Sequence, residues 1–121
     1  MSIQVPPFPG TDNFITLQEA ITMTHMYRGN NEKILNPIYQ GKMVLPLSET
    51  FNREAFDALL GQANCQGIRL YYGMDDKMKI HMIAVGVNEQ NEDILSENGC
   101  VIIENGQRCP IACPPPSVLN S

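Results

Sequence analysis

The residues of this chain that come closest to a chemical site by type and spacing are cysteines: Cys109 and Cys113 flank Pro110-Ile111-Ala112, and Cys100 lies just upstream. Thiolates carried on loops hold Zn²⁺ tetrahedrally, and structural zinc sites usually pair two short C-x₂₋₄-C knuckles. Here one knuckle stands alone, so Cys100, Cys109 and Cys113 form an incomplete ligand set. The spacing also departs from the C-x-x-C of thioredoxin-like redox sites. The cysteines, Cys65 among them, are therefore expected to be ordinary reduced thiols or at most an adventitious disulfide, with metal binding as the alternative.

His25 and His81 are the two histidines. A general base needs a nucleophile or an orienting carboxylate within hydrogen-bond reach, and spacing along the chain supplies neither. Asp75 and Asp76 look like paired carboxylates, but they fall in the loop of the expected hairpin, where Asp favours turn geometry without chemistry. The acids of Asn88–Asp93 lack the calcium-loop pattern, Ser48 and Ser96 have no G-x-S-x-G context, and no Gly-rich phosphate loop is present. No catalytic residue is assigned. A ligand-binding group is conceivable at Arg69, Tyr71, Tyr72 and His81, in a pocket between helices and sheet. Strand alternation puts Arg69 and Tyr71 on one face and Tyr72 on the other, so all four meet only where the strand twists or ends.

These residues must be positioned by a few clear elements. Thr16 and Glu19 have the spacing of a capping box, and Leu17, Ala20, Ile21, Thr24 and Tyr27 follow at helical intervals, which predicts a helix over about 17–28 stopped by Gly29-Asn30-Asn31. Asn36-Pro37 suggests an irregular or briefly helical connection. A short strand is expected over 42–47, with Pro46 at an edge or strand end because it lacks an N–H. Asn52 is placed to cap a second helix, with Phe51 and Phe56 spaced as a hydrophobic staple and Phe56, Leu59, Leu60 and Ala63 as the buried stripe.

Ile68–Gly73 and Met78–Val87 read as a β-hairpin around Asp75-Asp76-Lys77. The second of these strands is apolar on both faces and belongs in the middle of a sheet. Ile94-Leu95 and Cys100–Ile103 suggest one or two more short strands, and Asn98-Gly99 and Asn105-Gly106 are turn signals. Helices followed by strands predict an α+β fold, with two helices in the N-terminal half packed on a small, mainly antiparallel sheet. The organisation expected is an extended Pro-rich arm over 1–13, one domain over 14–108 and a Pro/Cys-containing tail over 109–121.

The 121 residues suit one domain with one core. Eight Lys and Arg against thirteen Asp and Glu give a net charge of −5, and this repels phosphate backbones and anionic membrane surfaces. The start lacks the features of a secretory signal, and no apolar run is long enough to span a bilayer, so a cytoplasmic location is expected.

Phe51-Asn52-Arg53-Glu54-Ala55, then Gly67 through Asp75 with its Arg69-Leu70-Tyr71-Tyr72-Gly73, then Val85-Gly86-Val87-Asn88, resemble a group of small uncharacterised bacterial proteins. The resemblance covers roughly the middle third of the chain and implies a compact recurring domain, with no established activity and no site residues to carry over.

Taken together, the residues suggest a non-enzymatic interaction or self-assembly module with no cofactor. Its partner is expected to be a protein or a second copy, not nucleic acid or membrane. The uncharged tail would supply contacts through Ile111, Pro114, Pro115, Pro116, Val118 and Leu119, since a merely disordered tail is usually polar or charged. The alternative is a small ligand-binding protein or enzyme using the pocket described above.

Overall fold

The computed structural model describes residues 13–95, 102–104 and 106–120. The order of elements is α1 (Leu17–Asn30), a 3₁₀ turn (Pro37–Tyr39), β1 (Ser48–Thr50), α2 (Arg53–Leu60), β2 (Gly67–Met74), β3 (Ile80–Val87), β4 (Ile102–Ile103) and β5 (Gln107–Cys109). The class is α+β, with both helices in the N-terminal half and two small antiparallel sheets.

Helix α1 starts where its capping box predicts: the Glu19 N–H donates to the Thr16 hydroxyl at 3.0 Å, and the Thr16 N–H donates to the Glu19 carboxylate at 2.9 Å. These bonds pair two donors that a first turn leaves unsatisfied. The helix runs to Asn30, two residues past the expected 28, and ends within the expected stop, where the Asn31 N–H closes it on the Tyr27 carbonyl at 2.8 Å. No residue of α1 is buried. Ala20, Ile21, Thr24 and Tyr27 are half-buried, and Tyr27 donates its hydroxyl to the Pro46 carbonyl at 2.6 Å.

The strand expected over 42–47 does not form. Met43 sits at φ 59°, a left-handed conformation that breaks the pleat, and Pro46 has no N–H for a ladder. Pairing begins at Ser48 instead, where β1 meets β5 in the register Ser48↔Cys109, Glu49↔Arg108 and Thr50↔Gln107. Cys109 thus belongs to a strand as well as opening the tail.

Helix α2 keeps its staple: the Phe51 and Phe56 rings lie 5.7 Å apart at a tilt of 40°. Asn52 sits at the cap position without a side-chain capping bond. Leu59 is fully buried with Ala84 and Ile103, and Phe51, Ala55, Phe56, Cys65 and Ile68 pack around them. Burying a leucine this way contributes about 1.5–3 kcal/mol. Two members of the expected stripe lie outside it. The helix ends at Leu60, so Ala63 leaves the helical period and is exposed, and Leu60 itself is half exposed.

The hairpin β2–β3 pairs from Gly67↔Val87 to Met74↔Ile80, and β4 adds to β3 through Ala84↔Ile103. Strand β3 is central, as its apolar faces predict, with Ala84 through Val87 all buried. Among the described residues, β2 has no strand on its other edge. The two sheets are joined by side chains of a single cross-strand pair. Glu49 accepts the Met82 N–H at 2.8 Å, and Arg108 Nε donates to the Ile80 carbonyl at 3.0 Å.

Candidate functional site

The hairpin register decides which candidate residues meet. Residues directly opposite in an antiparallel pair share a face, so Arg69, Tyr71 and Gly73 lie with Val85, Ile83 and His81. Leu70 and Tyr72 lie on the other face with Ala84 and Met82. The sheet thus separates Tyr72 from the other three ligand-binding candidates, as strand alternation predicts.

His81 is built into a shallow hollow of about 340 Å³ lined by Gly73, Met74, Asp75, Ile83 and Glu104. A β-carbon on Gly73 would meet Ile83 Cδ1 at 2.9 Å, so a glycine there leaves the Ile83 side chain its room. Asp75 does two things at the hairpin end. Its Oδ1 accepts the Lys77 and Lys79 N–H groups at 2.8 and 3.0 Å, which shapes the turn, and its Oδ2 lies 2.8 Å from His81 Nε2. The hydrogen bond from His81, then those from the backbone of Lys79 and Lys77, hold the Asp75 carboxyl down at about 2.

With Nε2–H directed at a carboxylate, Nδ1 of a neutral His81 carries the lone pair. That atom is shut off from solvent and makes no hydrogen bond, although Glu104 Oε1 stands 3.5 Å away. His81 therefore lies between two carboxylates. Asp75 orients the ring, and a proton on Nδ1 would complete an ion pair with Glu104.

Beside this hollow, on the same face, Arg69 Nη1 pairs with Asp93 Oδ1 at 2.5 Å while Tyr71 donates its hydroxyl to Asp93 Oδ2. Arg69 Nη2 also donates to Asn91 through both its side-chain oxygen and its carbonyl. The bridge Val87↔Asp93 brings this loop alongside the hairpin. The Tyr71 hydroxyl, and then the Arg69 guanidinium, hold the Asp93 carboxyl below its ordinary range, and the same carboxylate raises the Tyr71 and Arg69 values. Both Asp93 oxygens and the guanidinium are thereby engaged within the chain, so the cluster fastens the 88–93 loop to β2.

Tyr72 lines a different feature, a largely apolar groove of about 470 Å³ shared with Tyr27, Pro46, Leu47, Glu49, Ile80 and Met82. Burial raises the Tyr27 hydroxyl above its ordinary value. Tyr72 lines this groove and His81 the hollow on the opposite face of the hairpin, so the sheet lies between these two.

Cys109 and Cys113 are joined by a disulfide, the second of the two forms expected for them, and are not free reduced thiols. In this bonded form neither sulfur is a thiolate for metal. Cys100 lies outside the described residues, and Cys65 is a free thiol donating to the Gly67 carbonyl at 3.3 Å. Among the described residues no group of three or more His, Cys, Asp or Glu is arranged to hold a metal ion.

Beyond the disulfide, Asn120 shapes the tail by donating to the Pro115 carbonyl at 2.9 Å and accepting the Ser117 N–H at 2.8 Å. Pro114, Pro115 and Pro116 are exposed, as are Ile111, Val118 and Leu119.

Sequence reasoning missed Glu104, Asp93 and Tyr27 as members of these sites and treated Asp75 only as a turn residue. The available signal was Asp75 within the same hairpin as His81, where a tight turn returns one toward the other. No family model, curated protein or solved structure matches this chain. Among the described residues no helix is long and apolar enough to cross a membrane.

Proposed function

We propose that this protein is a non-enzymatic interaction module that completes its apolar surface by assembling with a protein partner or with further copies of itself. One observation carries the reading. Among the described residues seven apolar side chains are buried, while nineteen large ones are exposed, including Leu17, Met23 and Met26 on α1 and Leu70, Tyr72 and Met74 on β2. Scattered exposed apolar residues are ordinary, but contiguous groups on a helix and on an unpaired edge strand mark contact surfaces. Ile111, Val118 and Leu119 of the tail are exposed as well.

Sedimentation equilibrium on the purified chain, with affinity purification from the native host at endogenous levels, tests this. A stoichiometric oligomer or protein partner supports it, and a monomer with no partner sinks it. The reading includes a cytoplasmic setting, where disulfides are rare. Thiol mapping by mass spectrometry on protein alkylated directly in cells checks that setting: a fully formed Cys109–Cys113 bridge would point to an oxidising compartment.

His81 favours a second reading, a small-ligand site or enzyme, because a histidine held between Asp75 and Glu104 at the wall of a hollow has the components of an acid–base pair. A retained small molecule whose binding shifts the His81 ring signals in NMR would support it over the first.

A further inference from the structure

We propose that the Cys109–Cys113 bridge is a thiol-exchange site, at which an anionic small-molecule thiol attacks the Cys113 sulfur beside Arg28. This stands apart from the assembly reading, and the failure of either leaves the other untouched.

The two sulfurs differ in access. Cys109 lies in β5 and is 4% exposed, whereas Cys113, beyond the end of that strand, is exposed. In thiol–disulfide exchange the rate depends on which sulfur the incoming thiolate can reach, so here the attacked sulfur is that of Cys113. Cys109 is then the leaving group. Its place in the fold tolerates the product, because a buried cysteine in its neutral form packs as a small apolar side chain. The Leu47 N–H holds Cys109 by its carbonyl at 2.7 Å, a bond that does not involve the sulfur.

Both cysteines line a hollow of about 280 Å³, and among the described residues Arg28 is the one charged side chain on its wall. Arg28 is half-buried and takes part in none of the ion pairs formed among the described residues. A guanidinium so placed favours the negative charge of the arriving and the departing thiolate, and it is suited to pairing with a carboxylate. The chain as a whole carries −5 and repels anions. Arg28 supplies the local cation that a carboxylate-bearing thiol requires.

The bridge also closes a sequence separation of only four. In the chain-entropy account a disulfide stabilises by restricting the unfolded chain, and that gain shrinks with the loop it closes. Little folding free energy therefore opposes reduction.

The reaction is a two-electron reduction of the bridge. One ligand thiolate attacks Cys113 Sγ, forming a ligand–Cys113 bond and breaking the bond to Cys109, which leaves as a thiolate and takes a proton from water. A second ligand thiolate attacks the ligand sulfur of that mixed disulfide and releases Cys113 as a thiolate, which is protonated in turn. One bridge and two ligand thiols thus become two cysteine thiols and one ligand disulfide, and the reverse reaction restores the bridge.

Glutathione, which bears carboxylates, is the probe, and uncharged β-mercaptoethanol is the control. The full chain is reacted with each, quenched in acid and mapped by mass spectrometry. The bridge is expected to open in excess reduced glutathione and to re-form with oxidised glutathione, with the trapped mixed disulfide on Cys113 over Cys109 by about tenfold or more. Arg28→Ala is expected to slow opening by glutathione about two- to fivefold, the worth of one partly screened ion pair, and to leave opening by β-mercaptoethanol unchanged. The ratio of the two rates cancels any general loosening of the fold, and Arg28→Lys is expected to recover part of the glutathione rate. A bridge that stays closed in excess glutathione, a mixed disulfide found first on Cys109, or an Arg28→Ala variant slowed equally by both thiols or by neither overturns the proposal.

Discussion

Glu49 and Arg108 face each other across β1 and β5, and each reaches past its own sheet to bond the backbone of β3, Glu49 at the Met82 N–H and Arg108 at the Ile80 carbonyl. Arg108 also donates to the Met43 and Val44 carbonyls at 3.2 and 3.3 Å, and the Ile80 N–H donates to the Val44 carbonyl at 2.8 Å. This pair therefore couples the two sheets and fixes the 43–49 segment, of which Leu45 through Glu49 line the groove. Glu49→Ala leaves the Met82 N–H without its acceptor and is expected to cost about 1–3 kcal/mol in denaturant unfolding. Glu49→Gln keeps an oxygen acceptor and is expected to recover most of that loss. Equal losses in the two variants would show that the bond to Met82 is not what matters.

Leu59 and Phe56 occupy the same helix face with unequal burial, and this sets their order. Leu59→Ala opens a cavity in a fully buried site and is expected to cost about 2–5 kcal/mol. Phe56 is only half-buried, so Phe56→Ala is expected to lose less despite the larger side chain. Urea unfolding of both variants measures the order, and a larger loss at Phe56 would mean that the staple to Phe51 outweighs the core.

Acid unfolding reports on Asp75. Its folded value of about 2 lies below the ordinary 3.8, so the unfolded chain binds this proton more readily than the folded one. Its contribution to stability is complete above 3.8 and is lost as pH falls through about 2. Asp75→Asn is expected to remove this part of the pH dependence, giving a flatter stability profile over that interval. An unchanged slope would show that the His81 and backbone bonds do not persist in solution.

Tyr27 tests how α1 is held. With no buried residue, the helix is expected to open locally at low free energy, and the hydroxyl bond to Pro46 is one restraint on that opening. Tyr27→Phe removes it while keeping the ring, at about 0.5–1.5 kcal/mol. Hydrogen exchange across Ala20–Asn30 is expected to speed up while exchange in β3 stays the same. Equal acceleration in both would mean that α1 and the sheet unfold as one unit.

Local chemistry alone set several features of this protein. The Thr16–Glu19 capping box, the Phe51–Phe56 staple, the hairpin around Asp75 and the central place of β3 all depend on residues close in sequence, whose spacing carries the information directly. The α+β class follows from their order. Tertiary structure decided the rest. Strands β1 and β5 are three residues each and far apart in the chain, too short for any period to register, and they pair because Glu49 and Arg108 both find backbone partners on β3. Asp93 and Glu104 come to Tyr71 and His81 only when the chain returns across the hairpin, and the groove exists only because α1 and β2 bring Tyr27 and Tyr72 to the segment 45–49, which Met43 and Pro46 keep from pairing before Ser48. Contacts of that kind depend on loop closure and on competing partners, and those energies are settled by the whole fold, not by neighbours along the chain.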